Sequence, residues 1–274
     1  MSNTQSFKLT GSNQQDIIGD ITYSKSESKQ VALFVHGFKG FKDWGTHHLV
    51  AGYFAQNDVT YVKFNFSHSG VVASNLNDVT DMELFASNTP SKELYDLDIV
   101  IQYISETFPD AEISLIGHSR GGGLSILEAA RNPKISKLIT WAAISSFNSL
   151  WKKEQEEEWH EKGKIEVYNA RTKEYMPLNV ALLEDVNQNR ETLNIMKAAK
   201  NISIPWLIIH GNDDVNVVVE IAKNFKAIHP EASFLEINGA NHVFGASHPY
   251  SSETLPLQLL EVSNASLAFI KSES

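Results

Sequence analysis

The most informative stretch of the chain is Glu112-Ile-Ser-Leu-Ile-Gly-His-Ser-Arg-Gly-Gly-Gly-Leu124. Its first five residues read as a buried strand, with Ile113, Leu115 and Ile116 as its apolar positions. Glycines follow at once, and the segment after them reads as a helix through about Asn132. Gly117-His118-Ser119-Arg120-Gly121 therefore matches G-x-S-x-G in the context that pattern needs, a strand before it and a helix after it. A serine on so tight a turn sits in a strained backbone conformation, and its neighbours must lack bulk. The turn lifts the hydroxyl clear of the sheet. The helix N-terminus beneath it offers amides and a favourable field for a developing negative charge.

Working outward, further apolar strands are expected at 31–35, 59–64, 138–142, 204–210 and 233–237. Helical spacing falls between them at 44–57, at 91–107 with Ser91 as its cap, from about Val217, and at 254–270. The first 30 residues alternate weakly and read as a leading hairpin or edge strands. Strands alternating with helices imply an α/β fold, a mostly parallel sheet with helices on both faces. Residues 147–200 break the rhythm. They carry a charged helix at 152–162, a hairpin around 169–173 and a second helix at 179–199. Long ordered insertions of this kind are usually functional. The expected organisation is a core of 1–146 and 201–274 with a lid at 147–200.

Composition narrows the chemistry. The 274 residues hold 42% hydrophobic and 20% charged side chains, ordinary values for a folded protein that buries a large core. Cysteine is absent, which excludes disulfides, thiolate metal sites and a cysteine nucleophile. With 23 Lys+Arg against 33 Asp+Glu the net charge is −10, so the chain should repel nucleic acid. No apolar run approaches the length of a membrane span, and the polar start Met-Ser-Asn-Thr-Gln-Ser lacks the apolar region of a signal peptide. A cytoplasmic location is the expectation.

A serine nucleophile needs a base, and ten histidines compete for the role. His242 lies in Asn238-Gly-Ala-Asn-His242, just after the last strand, and is the candidate. His210 precedes Gly211 and reads as structural; His36 braces the loop before Gly37; His118 should point away from the serine. His47, His48, His160 and His229 read as surface residues, while His68 and His248 lie in loops open to a pocket. The base needs a carboxylate to orient it. Asp213 or Asp214, directly after the penultimate strand, is the natural orienter, and the other serves as a turn residue. Amide donors for an oxyanion are expected from Arg120 and from the loop His36-Gly-Phe-Lys-Gly40, with Phe38 as the candidate and Lys39 as the alternative.

These residues resemble the α/β-hydrolase superfamily, over most of the chain: His36-Gly37-Phe38, the 117–121 elbow, His210-Gly-Asn-Asp-Asp214 and Gly239-Ala-Asn-His242. In that superfamily the acid falls three residues after the glycine, which favours Asp214, and Val217 fits the same register. The chain looks most like small bacterial serine esterases of the cinnamoyl/feruloyl and dienelactone-hydrolase-like groups. Phe64-Asn-Phe-Ser-His-Ser-Gly70 and the G-A-N-H-x-F ending add to that likeness. It departs from cinnamoyl esterases at Arg120, where they commonly carry glutamine, and in a longer, more acidic lid.

The resemblance implies an eight-stranded core and hydrolysis of a small-molecule carboxylic ester through an acyl-serine, with no metal or organic cofactor. Ser119, His242 and Asp214 would be nucleophile, base and orienter, with the Phe38 and Arg120 amides as oxyanion donors. A peptidase, thioesterase or acyltransferase would use the same groups, and a weakly catalytic receptor on the same scaffold is the alternative from another class. Arg120, Lys39 and Lys42 could attract an anionic substrate group or could be solvated charges. Trp151, Trp159, Tyr168 and Tyr175 could line an acyl pocket or anchor the insertion, anchoring being the expectation for Trp159.

Overall fold

The computed structural model describes residues 3–26 and 28–272. Met1 and Ser2, at the head of the polar N-terminal stretch, lie outside the described residues, as does Glu27 within the expected leading hairpin. That hairpin is β1 (Thr4–Thr10) and β2 (Asp16–Thr22), paired antiparallel. The main strands are β3 (Gln30–Val35), β4 (Thr60–Asn65), β5 (Glu112–His118), β6 (Ile135–Trp141), β9 (Trp206–Gly211) and β10 (Ser233–Ile237). They assemble in the order β1-β2-β4-β3-β5-β6-β9-β10. Only β1–β2 and β2–β4 are antiparallel; the other pairs are parallel. The expected mostly parallel eight-stranded sheet is present, and β5, which carries the elbow, runs through its middle.

Alternation along β3 shows how the sheet divides the core. Val31, Leu33 and Val35 join one apolar layer, with α3 (Pro90–Thr107) and α4 (Arg120–Ala129). Ala32 and Phe34 join the other, with α1 (His47–Gln56) and α9 (Leu257–Lys271). Both layers bury branched and aromatic side chains completely, and burial on both faces explains why these strands read as unbroken apolar runs.

Helix ends differ from the expectation, each for a local reason. Thr89, not Ser91, caps α3: its hydroxyl accepts from the Lys92 amide at 3.4 Å and Pro90 takes the first helical position. The Ser91 amide donates instead to Asp185 at 3.0 Å. The expected 179–199 helix is two, α6 (Ala181–Gln188) and α7 (Ile195–Ala199), because the Asn194 side chain caps the second by accepting from Lys197 N at 2.9 Å. The last helix starts after Pro256 rather than at 254. The helix expected from Val217 is α8 (Glu220–Ile228). A short α2 (Met82–Ala86), capped by Asp81, was not read from the sequence.

Between β6 and β9 the chain forms α5 (Glu156–Lys162) and the hairpin of β7 (Lys164–Asn169) and β8 (Glu174–Asn179), then α6 and α7. Trp159 is fully buried and its indole N–H donates to the Leu178 carbonyl at 2.9 Å, so it anchors the segment, as expected. Trp151 packs edge-on against it at 5.3 Å. Tyr168 and Tyr175 pair at 5.3 Å on the exposed side of the hairpin.

Two of the three cations suggested for an anionic substrate are committed to the fold. Arg120 is buried, and its Nε donates to Glu93 Oε2 on α3 at 2.7 Å while its guanidinium lies over the rings of Phe38 and Phe147. Lys42 is buried in a four-charge cluster with Asp20, Asp43 and Lys63. Lys42 meets two carboxylates and Arg120 one, so both charges are met inside the fold, although Arg120 Nη2 has no hydrogen-bond partner among the described residues. Burial pushes the Glu93 carboxyl up, and Arg120 and Asn88 only partly offset it. Removing Glu93 would leave the Arg120 charge buried alone. Glu93→Ala should therefore lower stability by about 3–5 kcal/mol, read from urea unfolding, with Glu93→Gln costing less because a hydrogen-bond acceptor remains.

Candidate active site

The elbow is built as its residues require. Ser119 holds φ 56° and ψ −119°, a conformation that costs energy for any side chain with a Cβ. The surroundings over-determine it. The Ser119 amide donates to the Trp141 carbonyl on β6 at 2.9 Å, and the Ser119 carbonyl accepts from Gly122 and Ile144 at 3.0 and 3.2 Å. A Cβ at Gly121 would fall on the Val35 carbonyl, and one at Gly122 would come within 2.5 Å of the Ala143 methyl. Glycine is needed at both positions because strand and helix backbones touch there.

His242 and Asp214 converge on the serine from loops at the same end of the sheet. The Ser119 hydroxyl stands 2.9 Å from His242 Nε2 and can donate to it. His242 Nδ1–H donates to Asp214 Oδ2 at 2.7 Å. The other Asp214 oxygen accepts the amides of Asn216 and Val217, both at 2.9 Å. Burial alone would push the Asp214 carboxyl up. The imidazoles of His210 and His242 and the Val217 amide outweigh burial and hold it well below the usual carboxylate range. Asp213 is exposed, so of the two aspartates only Asp214 reaches the imidazole.

The other histidines divide differently from expectation. His36 Nδ1–H donates to the Gly37 carbonyl at 3.0 Å and braces its loop, as expected. His210 is buried beside Asp214, its Nε2 2.7 Å from the Val217 carbonyl and 3.4 Å from Asp214 Oδ2. His118 turns past the serine to donate from Nε2 to the His242 carbonyl at 2.8 Å. His48 and His160 are exposed, as expected. His229 is half-buried and packs on Trp206 rather than facing solvent. His47 is the clear correction. It is half-buried rather than fully exposed: it packs edge-on against Phe34 at 4.6 Å and lines the cavity that opens at Ser119. The helical spacing of His47, Val50 and Phe54 turns half-buried His47 toward the same side as the buried Val50 and Phe54, a signal masked by the polar pair His47-His48. His68, bonded to Ser67, and His248, which accepts from the Gly45 amide, do not line that cavity.

The cavity opens at Ser119 and His242 and has a volume of about 310 Å³. Phe38, Lys39 and Asn216 border its mouth, and Asn169 and Arg171 reach it from the β7–β8 hairpin. None of Trp151, Trp159, Tyr168 and Tyr175 lines it. Lys39 Nζ donates to the Tyr168 carbonyl at 2.9 Å, and Arg171 forks onto both oxygens of Asp78 at 3.1 and 2.5 Å. Next to the serine, the turn Gly37–Gly40 closes with a 3.0 Å bond from Gly40 N to Gly37 O, and Lys39 takes φ 60°. Among the described residues the amides of Phe38, Lys39 and Arg120 donate to no protein acceptor. Among the same residues no group of three or more His, Cys, Asp or Glu side chains is arranged to hold a metal ion. Nor is any helix long and apolar enough to cross a membrane.

Comparison with solved structures places this arrangement among known folds. Est1E from Butyrivibrio proteoclasticus is 16% identical, with a TM-score of 0.70 over 97% of each chain. The α/β hydrolase GrgF from Penicillium sp. sh18 is 16% identical, with a TM-score of 0.71 over 98% of each chain. An α/β serine hydrolase homologue from Coxiella burnetii is 19% identical, with a TM-score of 0.64 over 98% of this chain and 97% of its own. These likenesses make the fold that of the α/β hydrolases. The comparison with curated proteins gave no match. The model of the Esterase family matches residues 16–234, well over half of the chain. By that match the chain belongs to the Esterase family.

Proposed function

We propose that the protein is a serine carboxylesterase acting through an acyl-serine intermediate. The observation that carries this reading is the unbroken line Ser119 Oγ–His242–Asp214, with contacts of 2.9 and 2.7 Å, at the mouth of a cavity. Membership of the Esterase family supports the reaction class.

In the proposed cycle His242 Nε2 takes the Ser119 proton as Oγ bonds to the ester carbonyl carbon. The charge that develops on the carbonyl oxygen meets the amides of Phe38 and Arg120, which have no competing acceptor among the described residues. Arg120 N lies at the start of α4, where the helix field favours negative charge. The imidazolium, stabilised by Asp214, gives its proton to the leaving alcohol oxygen as the carbon–oxygen bond breaks. Water then repeats the sequence: His242 takes its proton, its oxygen attacks the acyl carbon, and Ser119 leaves with a proton as the acid departs. Asp214 keeps Nδ1 protonated, so that Nε2 presents its lone pair to the serine. No step calls on a metal or an organic cofactor. Residues 147–200 act as the lid in this reading, with Asn169 and Arg171 of the hairpin region beside the mouth.

Hydrolysis of 4-nitrophenyl hexanoate provides the test. Ser119→Ala and His242→Ala should each lose activity by at least about 10³-fold, and retention of activity in either would refute the assignment. Asp214→Asn should lower kcat by about 10⁴-fold through the wrong imidazole tautomer. Asp213→Asn, at an exposed position, should stay within about twofold of wild type; a larger loss at 213 than at 214 would reverse the choice of acid.

A further inference from the structure

The cavity at Ser119 has two ends of different chemistry. At the mouth, Phe38 and Lys39 are half-exposed and Asn216 is exposed. The inner end crosses to the α1–α9 face of the sheet, where Phe34, Val50, Trp141, Phe244 and Leu259 wall it with buried apolar surface. The acyl group stays bonded to the serine while the alcohol leaves and water enters. The enclosed end therefore suits the acyl group and the mouth suits the alcohol.

The apolar wall is interrupted at its α1 side. Thr46 lines the same space, is 1% exposed, and its hydroxyl has no hydrogen-bond partner among the described residues. It precedes α1, where a threonine often caps the helix, yet its side chain makes no capping bond. Native proteins seldom leave a buried hydroxyl unmet unless a ligand or water completes it. His47, next in sequence, donates from Nδ1 to the Phe41 carbonyl at 3.1 Å, which leaves Nε2 as a bare acceptor. His118 is fixed the same way, with Nε2–H on the His242 carbonyl and Nδ1 left as the acceptor. Burial, joined by neighbouring positive groups, holds His47 well below the usual imidazole value, and burial foremost takes His118 down to about 3. Both rings are neutral at ordinary pH and offer lone pairs rather than charge.

That set of groups selects a ligand chemistry. At the inner end an anionic group would face acceptor lone pairs, and among the described residues the cations lining the cavity, Lys39 and Arg171, stand at the mouth, Arg171 already paired with Asp78. Among the described residues no carboxylate lines the cavity, so a cationic end would find no counter-charge there. A neutral hydroxyl can donate to the His47 nitrogen and accept from, or donate to, Thr46. We propose that the inner end of the cavity binds the acyl group of the substrate, and that this acyl group is a compact apolar chain bearing a hydroxyl that meets Thr46 and His47. The proposal rests on the acyl-serine reading for its orientation, but the recognition itself is a matter of binding.

Ser119→Ala allows binding to be measured without turnover. Ethyl hexanoate, ethyl 3-hydroxyhexanoate and ethyl 6-hydroxyhexanoate would be titrated into it by calorimetry. At least one hydroxy ester should bind about tenfold more tightly than the unsubstituted ester. Adding Thr46→Val, which keeps the shape and removes the hydroxyl, should bring that ratio to within about twofold, and His47→Phe should do the same. Equal affinity for all three esters would overturn the proposal, and so would a preference that survives both substitutions. Failure of the catalytic reading has a separate signature: wild type and Ser119→Ala would then hydrolyse 4-nitrophenyl hexanoate alike, whatever the binding ratios.

Discussion

Backbone meets backbone where β5 turns into α4, and the rest of the site depends on that contact. Ser119 stays at φ 56° because its amide is held by Trp141 and its carbonyl by Gly122 and Ile144. The glycines at 121 and 122 let the first turn of α4 press against Val35 and Ala143 on the strand ends either side. Strain in one residue is thus supported by the two largely buried strands that flank β5. The result is a hydroxyl projected from a rigid base with a helix N-terminus below it. Buried packing beneath the elbow continues in the same sense. The Arg120–Glu93 pair ties the start of α4 to α3, so a charge that the sequence offered to a ligand instead fixes the residue whose amide faces the serine.

The remaining groups arrive through sheet topology. Parallel strands bring all their C-terminal ends to one edge, and there the loops after β9 and β10 deliver Asp214 and His242. Asp214 is oriented by two amides of its own loop, so its free oxygen has one direction left in which to accept. That chain of constraints makes the imidazole tautomer a consequence of the backbone. The cavity follows the same logic, since it opens between the loop after β3 and the loop after β10 and runs down to α1 and α9.

What was legible in the sequence was what is encoded locally. The elbow declares itself because strand, glycines and helix are contiguous, and the central strands because burial on both faces leaves unbroken apolar runs. The antiparallel entry strands and the hairpin around 169–173 were legible from alternation. Less visible were features settled by distant partners. Ser91 looked like a helix cap until Asp185 claimed its amide and Thr89 with Pro90 took the role. A continuous helix over 179–199 was plausible by composition, yet Asn194 stops it by capping the next one. Charged and histidine side chains were the hardest to place. Lys42, Arg120 and His47 carry the composition of a surface; the burial of Lys42 and Arg120 is compensated by partners far away in sequence, at Asp20 and Glu93, and half-buried His47 packs on Phe34. The acceptor-lined end of the cavity was missed for that reason.

The central claim is that Ser119 is an activated nucleophile, and covalent labelling tests it without knowledge of the substrate. Wild type and Ser119→Ala would be treated with a fluorophosphonate and weighed intact by mass spectrometry. The account predicts a single adduct on the wild type and none on the variant. An equal adduct on both, or no adduct on a folded wild type, would contradict it.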